Sequence, residues 1–418
     1  MKIRNLFKGD LVIWVIYFFL CMVSLVEVFS AASTLTYKSG SFWDPLIKQA
    51  IFLGVGTLIV IVIHNIPCRF FKILPLLLIP LSVFLLLWVL LFGGSINGAE
   101  RWISWGFLQF QPSEIAKGAV VVAVALILAR MQREEGADRQ AFKNIILVAG
   151  TICLLIASQN LSTALLLAGV VYLMMIIGRV PGLLMAKFTG LAAVIIVALS
   201  SLILLSPNDS FVFKQPGMGR ALTWKNRLLN HGNEGERNAK DYEVTDKNAQ
   251  RDHANIAIAT SNIIGRGPGN SVQRDFLSQA YSDFIYAIII EEMGLPGAVA
   301  VLLLYIVLLV RAGRIASRCE RNFPAFLVMG LALLLVTQAL LNMMVATGLF
   351  PVTGQPLPLI SRGGTSTIIT CVYVGMILSV SRYARRAKVA SDPFAPGRKG
   401  RAAVQQVQAE PDRLGPLV

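Results

Sequence analysis

The stretch LVIWVIYFFLCMVSLVEVFSA, residues 11–31, is apolar throughout and nearly free of charge. It is long enough to cross a bilayer as a helix, because about 20 apolar residues span the hydrocarbon core and shorter runs suffice between polar flanks. Further runs of this kind occupy residues 49–66, 73–92, 118–129, 145–157, 161–177, 188–205, 284–310, 325–346 and 367–380. The sequence therefore predicts an all-α polytopic membrane protein of about ten transmembrane helices.

The composition supports a membrane protein and excludes a soluble one. Hydrophobic residues make up 55% of the chain and charged residues only 15%, whereas a soluble domain carries roughly 25% charged residues. The net charge of +15 does not indicate nucleic-acid binding, because the basic residues cluster in alternate loops, which is the positive-inside pattern. The clusters are Lys2, Arg4 and Lys8; Arg69 and Lys72; Arg130, Arg133, Arg139 and Lys143; Arg179 and Lys187; Arg311, Arg314, Arg318 and Arg321; and Arg382, Arg385, Arg386 and Lys388. Both termini are therefore expected in the cytoplasm.

This orientation assigns every loop to a side of the membrane. The predicted outward segments are 32–47, 93–113, 158–160, 206–282 and 347–366. Residues 1–388 are expected to form one ten-span membrane domain, in which 206–282 is a large extracytoplasmic loop before the eighth span. The polar tail 389–418 is expected to be disordered in the cytoplasm. None of the cysteines falls in an outward loop, so no disulfide framework is predicted.

Polar residues gather at the outward ends of a few spans, where they are costly and functional by default. The first group is NGAERWISWGFLQFQPSEIAKG, residues 97–118. Pro112 suits a helix start, and Glu114 and Lys117 are three residues apart, so they lie on one helix face and can pair. A purely structural ion pair at a capped helix start explains these residues equally well.

The second group is LSQAYSDFIYAIIIEEMGLPG, residues 277–297. Ser282 and Asp283 stand where a long apolar helix begins, and helix capping is the simplest role for them. Glu291 and Glu292 lie further along this helix, and buried carboxylates need a cationic or hydrogen-bonded neighbour, which we expect from another span. The preceding GRGPG, residues 265–269, predicts a glycine-rich turn and no nucleotide site.

The third group is ATGLFPVTGQPLPLISRGGTS, residues 346–366. Prolines and glycines in an apolar segment between two spans predict a stiff re-entrant segment buried against protein, because irregular backbone is not tolerated against lipid. Arg362 in this segment is a candidate for binding an anionic group.

Taken together and in this order, the three groups resemble the SEDS family (shape, elongation, division and sporulation), and the resemblance covers about residues 10 to 388. It implies a peptidoglycan glycosyltransferase that consumes lipid II. By the same resemblance, Asp283 matches an aspartate essential for polymerisation, Glu114 and Lys117 match residues that line a central cavity, and Arg101 matches the arginine of an Arg-Trp pair. The chain departs from the family pattern at Asn160, where a carboxylate is usual, and at Arg362, where tyrosine is usual.

The implied chemistry is an inverting displacement of undecaprenyl pyrophosphate. One carboxylate within hydrogen-bond reach of the acceptor hydroxyl suffices as general base, and Asp283 is the candidate. Residues expected to bind the substrate are Arg101, Glu114, Lys117, Ser282 and Arg362. A divalent cation, Mg²⁺ or Mn²⁺, could assist, but no residue spacing indicates a metal site.

The resemblance also implies partners. We expect a class B penicillin-binding protein transpeptidase on the eighth and ninth spans, where Gly294 and Gly330 would allow close helix approach, together with other division-complex membrane proteins. The expected location is the inner membrane at the septum, in an FtsW-like role. A RodA-like elongation polymerase, a lipid II flippase and a structural scaffold remain alternatives.

Overall fold

The computed structural model describes residues 8–31, 43–92, 103–105, 108–205, 225, 249–277 and 280–390. Their α-helices are α1 Leu11–Ala31, α2 Asp44–Ile63, α3 Leu74–Phe92, α4 Pro112–Arg130, α5 Arg139–Ala157, α6 Leu161–Ile177, α7 Gly182–Leu205, α8 Ala249–Thr260, α9 Ile285–Ala316, α10 Asn322–Ala346 and α11 Thr365–Ala390. Within these residues, 9 helices are long and apolar enough to cross a membrane, and α6 is a shorter apolar helix. The predicted all-helical architecture of about ten spans is confirmed.

Short elements that the sequence did not predict lie between the spans. Two small antiparallel hairpins pair Ile103–Trp105 with Leu108–Phe110 and Gln132–Arg133 with Gly136–Ala137. A 3-10 helix, Cys68–Lys72, joins α2 to α3. Helix α8 lies within the predicted large outward loop. The last helix, α11, extends to Ala390, so the predicted start of the tail at residue 389 is two residues too early. Residues 391–418 lie outside the described part of the chain.

Successive spans run in opposite directions, so the molecule has two faces. The face where α1 begins also carries Cys68–Lys72 and the turn between α9 and α10, and we call it the basic face. The opposite face carries the start of α4, residues 281–284 and residues 351–364, and we call it the motif face. All three polar groups that the sequence singles out therefore reach the same side of the molecule.

Helices α4 and α10 form the centre of the bundle, and both are mostly buried. Small residues on α4 and α10 let neighbouring helices approach closely, which is how helices pack without a hydrophobic driving force between them. A Cβ at Gly118 would meet the ring of Tyr373 at 2.5 Å, and one at Gly330 would meet Met174 at 2.6 Å. Helices α2, α3 and α7 lie at the periphery and expose apolar side chains, as expected of surfaces that face lipid.

The prediction that Gly294 and Gly330 form a partner surface is wrong. Gly330 is buried between Met174 and Val121 of this same chain. Gly294 is packed against the backbone of Ile263 and Gly265. Both glycines serve close contacts within the molecule, so any partner on these two spans must use other residues.

The glycine-rich turn packs on a break in α9. Gly294 has φ +66 and interrupts the helix, and Pro296 has no N–H to donate to the carbonyl of Glu292. Gly267 N–H donates to that carbonyl at 2.8 Å, and Arg266 N–H donates to the carbonyl of Glu291 at 3.0 Å. The turn thus supplies the backbone donors that the broken helix lacks, which is the requirement for buried carbonyl groups.

Candidate active site on the motif face

The segment between α10 and α11 is the structural centre of the motif face. Its residues 357–361 are all buried, as the sequence predicts for a re-entrant segment. Ser24 on α1 donates a hydrogen bond to the carbonyl of Ile360 at 2.8 Å. The hydroxyl of Tyr305 on α9 donates to the carbonyl of Pro358. These two contacts satisfy carbonyl groups that could not face lipid.

Asp283 lies where this segment meets the start of α9. The N-cap of α9 is Phe284, so the interpretation of Ser282 or Asp283 as the helix cap is wrong. The Asp283 carboxylate accepts a hydrogen bond from the hydroxyl of Ser282 at 3.0 Å and is half-buried. The Asp283 carbonyl accepts from the amide of Asn342 at 2.9 Å. The backbone of this aspartate is therefore fixed while its carboxylate keeps some access to solvent.

Arg362 belongs to the same cluster. Its backbone N–H donates to the carbonyl of Tyr281 at 2.9 Å, and its guanidinium lies 5.5 Å from the centre of the Tyr281 ring. The neighbouring Ser361 donates to the carbonyl of Ser282 at 2.6 Å. Burial lowers the pKa of the Arg362 guanidinium, but arginine starts so high that the charge is retained.

Glu114 and Lys117 form the ion pair that their spacing predicts, with 2.8 Å between the ammonium and carboxylate atoms. Both side chains are buried, and the Lys117 ammonium also donates to the side-chain oxygen of Gln338 at 2.7 Å. Tyr373 on α11 donates to the Glu114 carbonyl at 2.6 Å. This pair therefore joins α4 to α10 and α11 near the motif face.

Two amides on α10 connect the ion pair to the aspartate, and sequence reasoning missed both. Gln338 and Asn342 are four residues apart and so lie on one side of the helix. Gln338 donates to the carbonyl of Pro356 at 3.0 Å, and Asn342 donates to that of Gln355 at 2.8 Å, in addition to its bond to Asp283. Buried amides within an apolar span are a recognisable signal, because polar groups at that depth are costly.

A second cluster of carboxylates lies behind the site, where α1 meets α9. Glu292 accepts from the backbone N–H of Gly269 at 2.9 Å and of Ser271 at 3.1 Å, and also from the Ser30 hydroxyl on α1. Glu291 accepts from Val272 N–H at 3.0 Å. The expected neighbour from another span exists as Ser30, but most partners are backbone amides of the preceding turn.

Glu27 completes that cluster and was also missed. It is fully buried on α1, and neither of its carboxylate oxygens has a hydrogen-bond partner among the described residues. It interacts electrostatically with the Glu292 carboxylate of the same cluster. A single carboxylate in an otherwise apolar span was the available signal.

The structure thus brings Ser282, Asp283 and Arg362 into one cluster, with Glu114 and Lys117 one layer deeper. Arg101 lies outside the described residues. Asn160, which departs from the family pattern, caps α6: its side chain accepts from Thr163 N–H at 3.3 Å. Over the described part of the chain, no three His, Cys, Asp or Glu side chains come close enough to share a metal ion.

Comparison with known proteins agrees with this architecture. A family model described as a cell cycle protein, FTSW_RODA_SPOVE, matches residues 10–386. The chain belongs to the FtsW/RodA/SpoVE family. The predicted SEDS membership is therefore confirmed. A relative named probable peptidoglycan glycosyltransferase FtsW, from Halomonas elongata, is 32% identical over 390 residues, which cover 90% of this chain and 91% of the relative.

Solved structures of the FtsW/RodA/SpoVE fold are also similar. One, described as the structural coordination of polymerization and crosslinking by a peptidoglycan synthase complex, has a TM-score of 0.70 at 26% identity and covers 90% of this chain and 98% of that one. The crystal structure of the Thermus thermophilus rod shape determining protein RodA has a TM-score of 0.58 at 26% identity, with coverage of 90% and 98%. This FtsW/RodA/SpoVE chain is therefore similar to both over nearly its whole membrane domain.

Proposed function

We propose that this FtsW/RodA/SpoVE-family protein is a peptidoglycan glycosyltransferase that polymerises lipid II on the motif face, with Asp283 as its general base. The observation that carries the proposal is the setting of Asp283. Its carboxylate is half-buried, while Asn342 and Ser361 bind the backbone on either side of it. A base needs a fixed position and access to the substrate, and the fixed backbone and partial exposure of Asp283 support this role.

The reaction requires one proton transfer and one substitution. Asp283 takes the proton of the acceptor sugar hydroxyl, whose oxygen attacks the anomeric carbon of the donor sugar. The bond from that carbon to the pyrophosphate breaks, and the lipid diphosphate leaves with the bonding electrons. A single displacement inverts an α-linked donor into a β-linked product, so one carboxylate suffices. The Ser282 hydroxyl, which donates to Asp283 at 3.0 Å, orients the carboxylate.

Arg362 is the described cation best placed to stabilise the leaving group. It is half-buried beside Tyr281, one residue from Ser282. A fixed charge in a water-poor site stabilises developing negative charge more strongly than a charge in bulk water. Arg101 is proposed for the same role. A divalent cation remains a prediction, and neither the proton transfer nor the displacement proposed here depends on one.

Glu114 and Lys117 are proposed to line the substrate cavity, as the family pattern implies. In the described conformation, Lys117 is 0% exposed and its ammonium is already bound by Glu114 and Gln338. Direct contact with pyrophosphate therefore requires this pair to open. With the pair closed, it positions α10, and through Asn342 it positions Asp283.

The Asp283→Asn variant tests the proposal, because it keeps the side-chain shape but removes the basic carboxylate. Polymerisation of purified lipid II, with a class B transpeptidase present, is expected to fall about 10²–10⁴-fold. Asp44→Asn is the matched control, since Asp44 is also a half-buried aspartate at the start of a span on the motif face. It should retain wild-type activity.

The outcomes separate the candidate functions. Near-normal polymer from Asp283→Asn would disprove the catalytic role and make Glu114 the next carboxylate to test. A flippase predicts that the wild-type protein itself makes no polymer but moves labelled lipid II across liposome membranes. A scaffold predicts neither activity.

The partner is proposed to be a class B transpeptidase bound along α9. This helix exposes apolar side chains after its break, among them Leu295 at 58% and Leu303 at 50% exposed. Helix α10 is mostly buried, so α9 provides the larger surface. The peptidoglycan synthase complex among the similar structures supports a partner of this type.

Replacing Leu295 and Leu303 together by Ala should reduce co-purification of the transpeptidase severalfold, because truncating central apolar contacts weakens an interface. The paired control, Leu77→Ala with Leu90→Ala, removes comparably exposed leucines from α3, at 63% and 47%. Equal loss of partner from both variants would show that α9 is not the interface.

A septal, FtsW-like role in division is proposed over elongation, and depletion of the protein should then block division before it changes cell width.

A further inference from the structure

A cavity of about 330 Å³ opens on the basic face, far from the proposed active site. Its walls come from the 3-10 helix before α3, the end of α4 and the turn between α9 and α10. Lys72, Arg130 and Arg321 line it from these three elements, and Glu320 is the acidic group at its wall. The cavity lies at the small end of the range for ligand pockets, which is roughly 300–1,000 Å³.

The cavity carries an excess of positive charge. Three cations and one carboxylate give the lining of the cavity a formal charge of +2. Within the described residues, no ion pair joins Lys72, Arg130 or Arg321 to an acidic group. Lys72 lies 5.8 Å from the centre of the Phe323 ring, so its stem is held toward the cavity. Like charges that converge in a concave site favour an anionic ligand between them.

The start of α10 strengthens this field. Arg321 is the N-cap of this 25-residue helix, and its side chain makes no capping hydrogen bond to the first-turn amides. Helix N-termini carry partial positive charge and offer unpaired N–H groups, which suits a phosphate. A cation at the N-cap is unfavourable by itself, because it adds positive charge to the positive end of the helix. An anion bound beside Arg321 removes that cost.

The surroundings indicate what kind of phosphate is bound. Next to Lys72, the apolar side chains of Phe70, Ile73 and Leu76 are 48%, 53% and 75% exposed, on the surface that faces lipid. Leu126 and Phe323 add apolar wall inside the cavity. A ligand held here can therefore place an acidic head group among the cations and its acyl chains along α3.

We propose that this cavity binds the phosphate of an anionic phospholipid. The phosphate lies between Lys72, Arg130 and Arg321, and the acyl chains lie against α3. Phosphatidylcholine carries the same phosphate but adds a cationic choline, which the three basic groups repel. The preference is thus for a head group with net negative charge. This site is independent of the glycosyltransferase chemistry on the opposite face.

The test measures lipid binding to the full chain in detergent by native mass spectrometry. The probes are phosphatidylglycerol, phosphatidylcholine with the same acyl chains, and inorganic phosphate as competitor. The cavity variant is Lys72→Gln with Arg130→Gln and Arg321→Gln. The control variant is Arg139→Gln with Lys143→Gln and Arg314→Gln, which removes the same charge from the same face at positions that are likewise exposed but lie outside the cavity.

Phosphatidylglycerol should bind the wild-type protein more tightly than phosphatidylcholine does. Its affinity should fall about 100-fold in the cavity variant, since each of the three basic residues near a lipid contributes roughly fivefold. The control variant should lose less than about threefold. If the triple variant does not fold, Arg130→Gln alone should lose about three- to tenfold.

Three results would overturn the proposal. Equal losses in the cavity and control variants would mean that only the overall charge matters. Equal affinity for the two lipids would mean that the cavity does not distinguish head groups by their charge. Displacement of phosphatidylglycerol by millimolar inorganic phosphate would assign the cavity to a soluble phosphate.

Discussion

At the scale of single residues, Glu27 and Glu292, two of the three buried carboxylates at the α1–α9 contact, differ in how they are satisfied. Glu292 accepts from two backbone amides and a serine hydroxyl. Glu27 has no hydrogen-bond partner for either oxygen among the described residues. Burying an ionised carboxylate without partners costs several kcal/mol. Glu27 is therefore expected to weaken the fold in its charged form.

The Glu27→Gln variant keeps the side-chain shape and removes that charge, so it should unfold at the same temperature as wild type or at a higher one. The reverse change, Gln49→Glu, is the control. Gln49 is equally buried and donates to Ser24 at 2.8 Å, so a carboxylate there loses a donor and should lower the unfolding temperature. Thermal unfolding in detergent measures both. A clear loss of stability in Glu27→Gln would mean that the carboxylate makes a stabilising contact.

At the scale of elements, the apolar runs predicted all ten spans, and α1 and α6 have the predicted limits. The apolar runs were the poorest guide where spans end in polar residues. Helix α4 begins at Pro112, as its proline predicted, but six residues before the apolar run, because Glu114 and Lys117 satisfy each other inside the bundle. A criterion based on hydropathy assigns such charged residues to a loop. Their pairing follows from spacing, so that part of the site was predictable.

The contacts of the glycine-rich turn could not be predicted, because they join backbone atoms distant along the chain. At Gly265, φ is +83 and a Cβ would collide with the carbonyl of Glu292; at Gly269, φ is +84 but the space around a Cβ is open. In the sequence alone, Gly265, Gly267 and Gly269 cannot be told apart. Only the packing of the turn on the α9 break distinguishes them.

Gly265→Ala and Gly269→Ala form a matched pair that separates backbone strain from packing. Both should lose about 1 kcal/mol because alanine disfavours positive φ. Gly265→Ala should lose roughly 1–3 kcal/mol more, because the collision forces the turn away from α9. Chemical unfolding in detergent measures the difference. Equal losses in the two variants would contradict the packed arrangement of the turn.

At the scale of the whole molecule, the ten spans of the described residues place both ends of the membrane domain on one side. The basic clusters predict that this side is the cytoplasm. The proposed chemistry depends on that direction, because Asp283 must face the compartment where glycan strands are made.

Cysteine labelling in spheroplasts tests the direction. In a background without native cysteines, Lys240→Cys should react with an impermeant maleimide, and Gln405→Cys should react only after lysis. The native cysteines of this chain are free thiols, so replacing them breaks no disulfide, and alanine is the replacement because Cys21, Cys68 and Cys371 are buried and need a small apolar side chain. Reaction at 405 but not at 240 in intact spheroplasts would reverse the orientation and remove the mechanism proposed for Asp283.

The turn before α9 binds two carboxylates with main-chain amides, and this has a consequence for protein engineering. Main-chain amides are the same in every residue except proline, so the turn can be rewritten at exposed positions such as Val272 without losing its contacts with Glu291. One inserted or deleted residue, however, displaces each amide by about 3.3–3.6 Å. Chimeras that exchange this turn between relatives should therefore assemble when the lengths match and fail when they differ by one, however similar the sequences are.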